Sequence, residues 1–158
     1  GVRTGAAVNE PLDTGPIQQR LRDLVPGLTG TVGGAAEYGA IKSLRDYRPG
    51  SAFVVLATER HPNPRNSNAG DRRRAKAQAL CTFGVIVVSR NARGRTGDEV
   101  LQEMRPLIGA VRTALIGWVP EKPLQPIAWQ QGDVMEYDAN TLMWLDVFTT
   151  THYLGGAQ

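Results

Sequence analysis

Residues 77–118 constrain the fold more than any other part of the chain. They read as a long strand, a short basic turn and an amphipathic helix that must lie back on the sheet. Ala77, Ala79, Cys81, Phe83, Val85 and Val87 share one face at a spacing of two; Gln78, Leu80, Thr82, Gly84, Ile86 and Val88 take the other. The first face is apolar throughout, whereas the second turns fully apolar only from Ile86. The strand is therefore expected to start near solvent and to end in a sheet covered on both sides. Its β-branched run at residues 85–88 favours strand over helix.

Residues 91–96 (Asn-Ala-Arg-Gly-Arg-Thr) supply turn chemistry, and Thr96 with Glu99 has the spacing of a capping box at a helix start. Val100, Met104, Leu107, Ile108, Val111, Leu115 and Trp118 then recur at three and four, which is one broad apolar stripe. Pro106 lies inside that pattern. It either kinks the helix or opens a second segment, since its ring removes a backbone donor and crowds the preceding turn. Trp118-Val119-Pro120 is the expected end.

A chain of 158 residues is most simply one domain, large enough to bury a core. Three parts are expected: a loosely ordered segment 1–13, an α+β domain over 14–154 with a long loop at about 60–76, and a fraying tail 155–158. No apolar run approaches the roughly 20 residues of a membrane helix, and residues 1–13 lack the pattern of a secretory leader. No membrane partner is expected. Cys81 is the single cysteine, which excludes an internal disulfide framework, and its place on the apolar face marks a buried structural thiol.

The formal charge of +3 is too small to name a partner. Its distribution is more informative: Arg60, Arg65, Arg72, Arg73, Arg74 and Lys76 fall in one stretch with only Glu59 and Asp71 beside them. Such a stretch suits nucleic acid, an acidic protein partner, or solvent alone. Residues 60–76 hold no Phe, Tyr or Trp to stack on bases, which weighs against a basic nucleic-acid-binding module.

Before the long strand, Thr14 is the expected cap of a helix with Pro16 in its first turn and Ile17, Leu21, Leu24 and Val25 as its stripe; Pro26-Gly27 stops it. Thr31 and Val32 read as a brief edge strand. A small helix follows with Tyr38, Ile41 and Leu44 inward, and residues 53–57 form an interior strand. After the long helix come a short strand at 126–130, a bulge or turn at Gly132-Asp133, and a hairpin pairing 134–137 with 142–150. This order is α+β: a mostly antiparallel β-sheet with two main helices packed on one face.

A catalytic constellation is not legible. His61 and His152 have no second His or Cys at ligand spacing, no Gly-x-Ser-x-Gly elbow surrounds a serine, and the glycines at 30–34 are followed by no Lys-Ser or Lys-Thr. No enzyme, metal or cofactor is expected. Asp146 stands out because it interrupts an apolar strand, and a buried acid must find a partner, expected to be an Arg across a strand or subunit boundary. Trp118, Trp129 and Trp144 are candidates for interface anchors, with at least two of them expected to complete the core.

In its order of elements the chain resembles the tail terminator proteins of long-tailed bacteriophages. The resemblance covers about 14–154 and rests on the helix at 17–25, the strands at 53–57 and 79–88, the segment 107–118 and the ending from Pro123-Leu124 to Asp146-Val147-Phe148. It implies a virion structural protein with no catalytic residues. In that family a small α+β subunit forms a ring, expected here to be a hexamer, that caps the tail tube, stops its polymerisation and joins the head. Implied partners are further copies of the chain, the tail tube protein and the head-tail connector protein. Genomic double-stranded DNA would pass the lumen without specific binding. The implied place is the head-proximal end of the tail, after assembly in the bacterial host cytoplasm. Another connector or tail completion protein is the alternative. Arg60, Arg65, Arg72, Arg73, Arg74, Lys76, Gln78 and Leu80 are the candidate residues for one contact patch, and Tyr137 and Asn140 for a second.

Overall fold

The computed structural model describes residues 9–62, 76–90, 97–122, 124–137 and 141–155. In chain order the elements are α1 (Gly15–Leu24), β1 (Val32–Gly33), α2 (Ala35–Ala40), a 3-10 turn (Leu44–Asp46), β2 (Ser51–Arg60), β3 (Lys76–Arg90), α3 (Gly97–Leu115), β4 (Ala128–Tyr137) and β5 (Thr141–Gly155). The five strands form one sheet in the order β1-β2-β3-β5-β4. Only β1 and β2 pair in parallel; every other neighbour is antiparallel. The architecture is α+β, as the order of elements predicts.

β3 and β5 form the spine, running side by side from Lys76 opposite Gly155 to Arg90 opposite Thr141. The alternation read from β3 holds. Cys81, Phe83, Val85 and Val87 join the main core with Ala52 and Val54 of β2 and Leu142 and Phe148 of β5. Phe83 and Phe148 stack at 5.5 Å between ring centroids. α1 and α3 cover this face through Ile17, Leu21, Val100, Met104, Ile108, Val111 and Leu115, each large side chain contributing about 1.5–3 kcal/mol when fully buried. Arg20 locks the two helices together, donating to the Ala114 carbonyl at 2.6 Å while its guanidinium lies over Trp118.

Among the described residues, the opposite face is covered over only part of its length. Phe53, Ile86, Val88 and Met143 pack there with Tyr47, and Tyr38, Ile41 and Leu44 lie against them. α2 and the 3-10 turn that follows it therefore sit across the sheet from α1 and α3. The small helix is shorter than the apolar spacing suggests, ending at Ala40, with Ile41 already extended.

Four details depart from the sequence reading. Thr14 stands at the start of α1 but its hydroxyl caps no amide; Asp13 takes the Gly15 amide instead, and Gln18 donates to the Thr14 hydroxyl. α3 continues as one helix through the exposed Pro106, so the proline opens no second segment. The same helix stops at Leu115, three residues before Trp118. Gly117 adopts φ +83°, a conformation that favours glycine, and its amide donates to the Ile127 carbonyl, which turns the chain toward β4. Gly132-Asp133 is no turn. β4 is one strand opposite β5, with register irregularities between Trp129 and Gln131 and between Val134 and Glu136. The capping-box threonine, Thr96, lies outside the described residues.

Residues 9–12, just before α1, are held by their own chain. Leu12 is buried and its amide donates to Glu59 Oε2 at 2.6 Å, while Asn9 Oδ1 accepts from the Gly155 amide.

Candidate functional site

The strongest polar feature of the helix-covered face is the setting of Asp146. Its carboxylate is fully buried, and four donors converge on it. Arg112, from the middle of α3, gives a two-pronged pair: Nε to Oδ2 at 2.9 Å and a terminal nitrogen to Oδ1 at 2.8 Å. The indole nitrogens of Trp144 and Trp129 donate to Oδ1 at 3.0 and 3.2 Å. The expected arginine is present, but it comes from a helix of the same subunit instead of from a strand or a neighbour. Its hydrogen bonds to Asp146 raise the Arg112 pKa, with burial opposing. The guanidinium also lies over the Trp129 ring at 4.9 Å and near that of Trp144 at 5.9 Å. Gly132 permits this crowding: a Cβ there would stand 2.6 Å from Asp146, 2.7 Å from Arg112 and 2.7 Å from Trp144.

Arg112 and Trp144 of this cluster also line a groove of about 480 Å³ between α3 and β5, together with Leu101, Gln102, Arg105 and Ile108. Val134 of the outer strand pairs with Trp144, so it stands beside the groove on the same face of the sheet. That strand exposes three large apolar side chains, Trp129 at 43%, Val134 at 42% and Met135 at 41%. A sheet edge that presents such residues is a contact surface unless something blunts it. Here the two irregularities interrupt the ladder, which favours docking by side chains into the groove over addition of a full strand. Of the three tryptophans, Trp118 and Trp144 pack on the core, and Trp129 keeps an exposed ring.

The residues singled out in the sequence fall at opposite ends of the sheet. Arg60 ends β2 opposite Leu80, Gln78 stands opposite Tyr153, and Leu80 opposite Thr151. By register, Arg60, Leu80 and Gln78 share the part of the face away from α1 and α3 that no described element covers, together with Thr82, Thr149, Thr151 and the half-exposed Tyr153. The backbone of Lys76 begins β3 beside them, opposite Gly155. The backbone of Tyr137 ends β4 opposite Leu142, some twelve residues away along β5, on the order of 40 Å. Arg65, Arg72, Arg73, Arg74 and Asn140 lie outside the described residues. The groove between α3 and β5 was not legible in the sequence; the exposed apolar residues beside it were read in two pieces, Trp129 in the short strand at 126–130 and Val134 with Met135 in the hairpin.

A third cluster was also missed. Glu59, Cys81 and His152 come from three adjacent strands, and their ligand-type atoms all lie within 4.8 Å of one another. Cys81 and His152 are buried. The Cys81 thiol is pushed up to about 12 by burial and by the nearby Glu59 carboxylate, to which it hydrogen-bonds. No local spacing in the sequence announces this group, because each member is on a different strand.

Among the described residues, the chain is a small α+β fold with a closed core and an outer strand that exposes large apolar side chains. The chain matches the model of the phage tail terminator protein family over residues 7–158, and it belongs to that family. It is therefore a structural protein of the bacteriophage tail, and the family implies interaction with tail and head components. A search of curated proteins gives no match. No described helix is long and apolar enough to cross a membrane.

Proposed function

We propose that the protein closes into a ring, of six copies, that caps the head-proximal end of the tail tube, halts its polymerisation and presents a surface to the head connector. The observation that carries this reading is the presence of two unlike surfaces on one subunit. One is the apolar groove and outer strand around Trp144, Val134 and Met135. The other is the uncovered sheet face around Arg60, Gln78, Leu80 and Tyr153. A head-to-tail contact that closes a ring needs such a non-identical pair, since each copy must offer one surface and receive the other. In this reading the groove of each subunit takes the neighbour's basic end, and the connector and tube contact the ring's two rims. DNA crosses the lumen with only non-specific phosphate contacts, whose strength falls steeply with salt. No bond is made or broken.

The test is the mass of the assembled species with and without tube protein. Wild-type chain is expected to form a closed multi-copy complex, and Met135→Asp, which places a charge on the exposed outer strand, is expected to leave a folded monomer. A Met135→Asp protein that assembles like wild type would remove the outer strand from the interface. A wild type that stays monomeric even with tube present would remove the ring.

A further inference from the structure

We propose that Glu59, Cys81 and His152 form a binding site for a zinc-like divalent cation that ties the segment before α1 to the sheet. Three observations carry this. The first is convergence. β2, β3 and β5 each supply one ligand atom, and the atoms already lie within 4.8 Å of one another. The second is distance. His152 Nε2 and Glu59 Oε1 stand 3.4 Å apart, long for a hydrogen bond. That separation is close to the ~3.4 Å edge of a tetrahedron whose bonds to nitrogen and oxygen are about 2.0–2.2 Å. The third is the way Glu59 reaches the site. The register of β2 against β3 shifts between Leu56 and Thr58, so that Glu59 stands opposite Cys81 and turns onto the helix-covered face. Without that extra residue, strict alternation from Val54 and Leu56 would send Glu59 to the other side. A bulge that aims an acid at a buried cysteine and histidine is a device for bringing ligands together.

The charges close. A divalent ion, the Cys81 thiolate and the Glu59 carboxylate sum to zero, with neutral His152 as the third ligand, so nothing buried is left uncompensated. Binding transfers the thiol proton to solvent and forms bonds from the metal to sulfur, nitrogen and oxygen, with water as the fourth ligand. Thiolate and imidazole select zinc, cobalt and their neighbours over magnesium or calcium. The Leu12 amide holds the second oxygen of Glu59 at 2.6 Å, an outer contact that orients the ligand and joins Leu12 to the metal.

The test uses the full chain, stripped of metal under a phosphine reductant and titrated with cobalt(II) chloride. One equivalent is expected to produce the visible bands of a tetrahedral cobalt site and a near-ultraviolet sulfur-to-cobalt charge-transfer band, both abolished by one equivalent of zinc. Cys81→Ala is expected to lose the charge-transfer band. Glu59→Gln and His152→Gln are expected to weaken binding by more than about 100-fold. If a substituted chain misfolds, the wild-type titration still decides. A spectrum without thiolate charge transfer, or one that persists in folded Cys81→Ala, overturns the site.

Discussion

Replacing Arg112 by Met tests the structural reading most sharply. The substitution keeps the aliphatic length but removes both donors that Arg112 gives to Asp146. Asp146 is fully buried and would retain two indole donors and no cation. Breaking a buried pair by deleting one partner costs about 3–5 kcal/mol, because the remaining charge stays desolvated. Arg112 is one-third exposed, so solvent screens part of the interaction, and the lower figure of about 3 kcal/mol is the expected loss. With a urea slope of about 1–3 kcal/mol per molar, the unfolding midpoint should fall by roughly 1.5 M. Arg112→Met combined with Asp146→Leu should recover much of the loss, since an apolar pair of similar size needs no partner. Urea unfolding followed by tryptophan fluorescence measures both. A single variant within about 0.5 kcal/mol of wild type, or a double variant no better than the single, would refute the claim that the pair holds α3 against the sheet.

Three further outcomes follow from the same packing. Gly132→Ala should lose about 1–3 kcal/mol, because its Cβ meets Asp146, Arg112 and Trp144 at under 3 Å; wild-type stability would mean that β4 shifts freely. Phe148→Ala, which removes half of the stack with Phe83, should cost about 3–5 kcal/mol by the same unfolding assay. In the metal-free chain, Cys81 and Tyr47 are both pushed up to about 12, chiefly by burial, from ordinary values of 9.0 and 10.0. Above pH 9 the unfolded chain therefore ionises first, and stability present below that pH should decline progressively toward pH 12. A melting temperature that is flat from pH 9 to 11 would contradict this.

The spine of the fold was legible because β3 carries its own instructions. Alternation from Ala79 to Val87 fixed one core face, and the turn to apolar residues at Ile86 and Val88 announced the second, smaller core under Tyr47. The stripe from Val100 to Leu115 placed α3 for the same reason. What stayed hidden depends on register and on contacts between distant residues. The end of α3 was set by the positive φ of Gly117, which no apolar spacing reveals. Gly132 looks like a turn residue in sequence, yet it is a strand position where Arg112, Asp146 and Trp144 leave no room for a side chain. The arginine for Asp146 was foreseen as a residue type, but not as a helix residue 34 positions earlier. Glu59 was invisible as a neighbour of Cys81 because a bulge in β2 decides which face it takes.

In the proposed function this chain acts by shape and contact at the end of the tail tube. Electron microscopy of particles assembled without it is the decisive measurement. The expected result is tails of abnormal length that fail to join heads, restored by wild-type protein and not by Met135→Asp. Tails of normal length joined to heads in its absence would contradict the account.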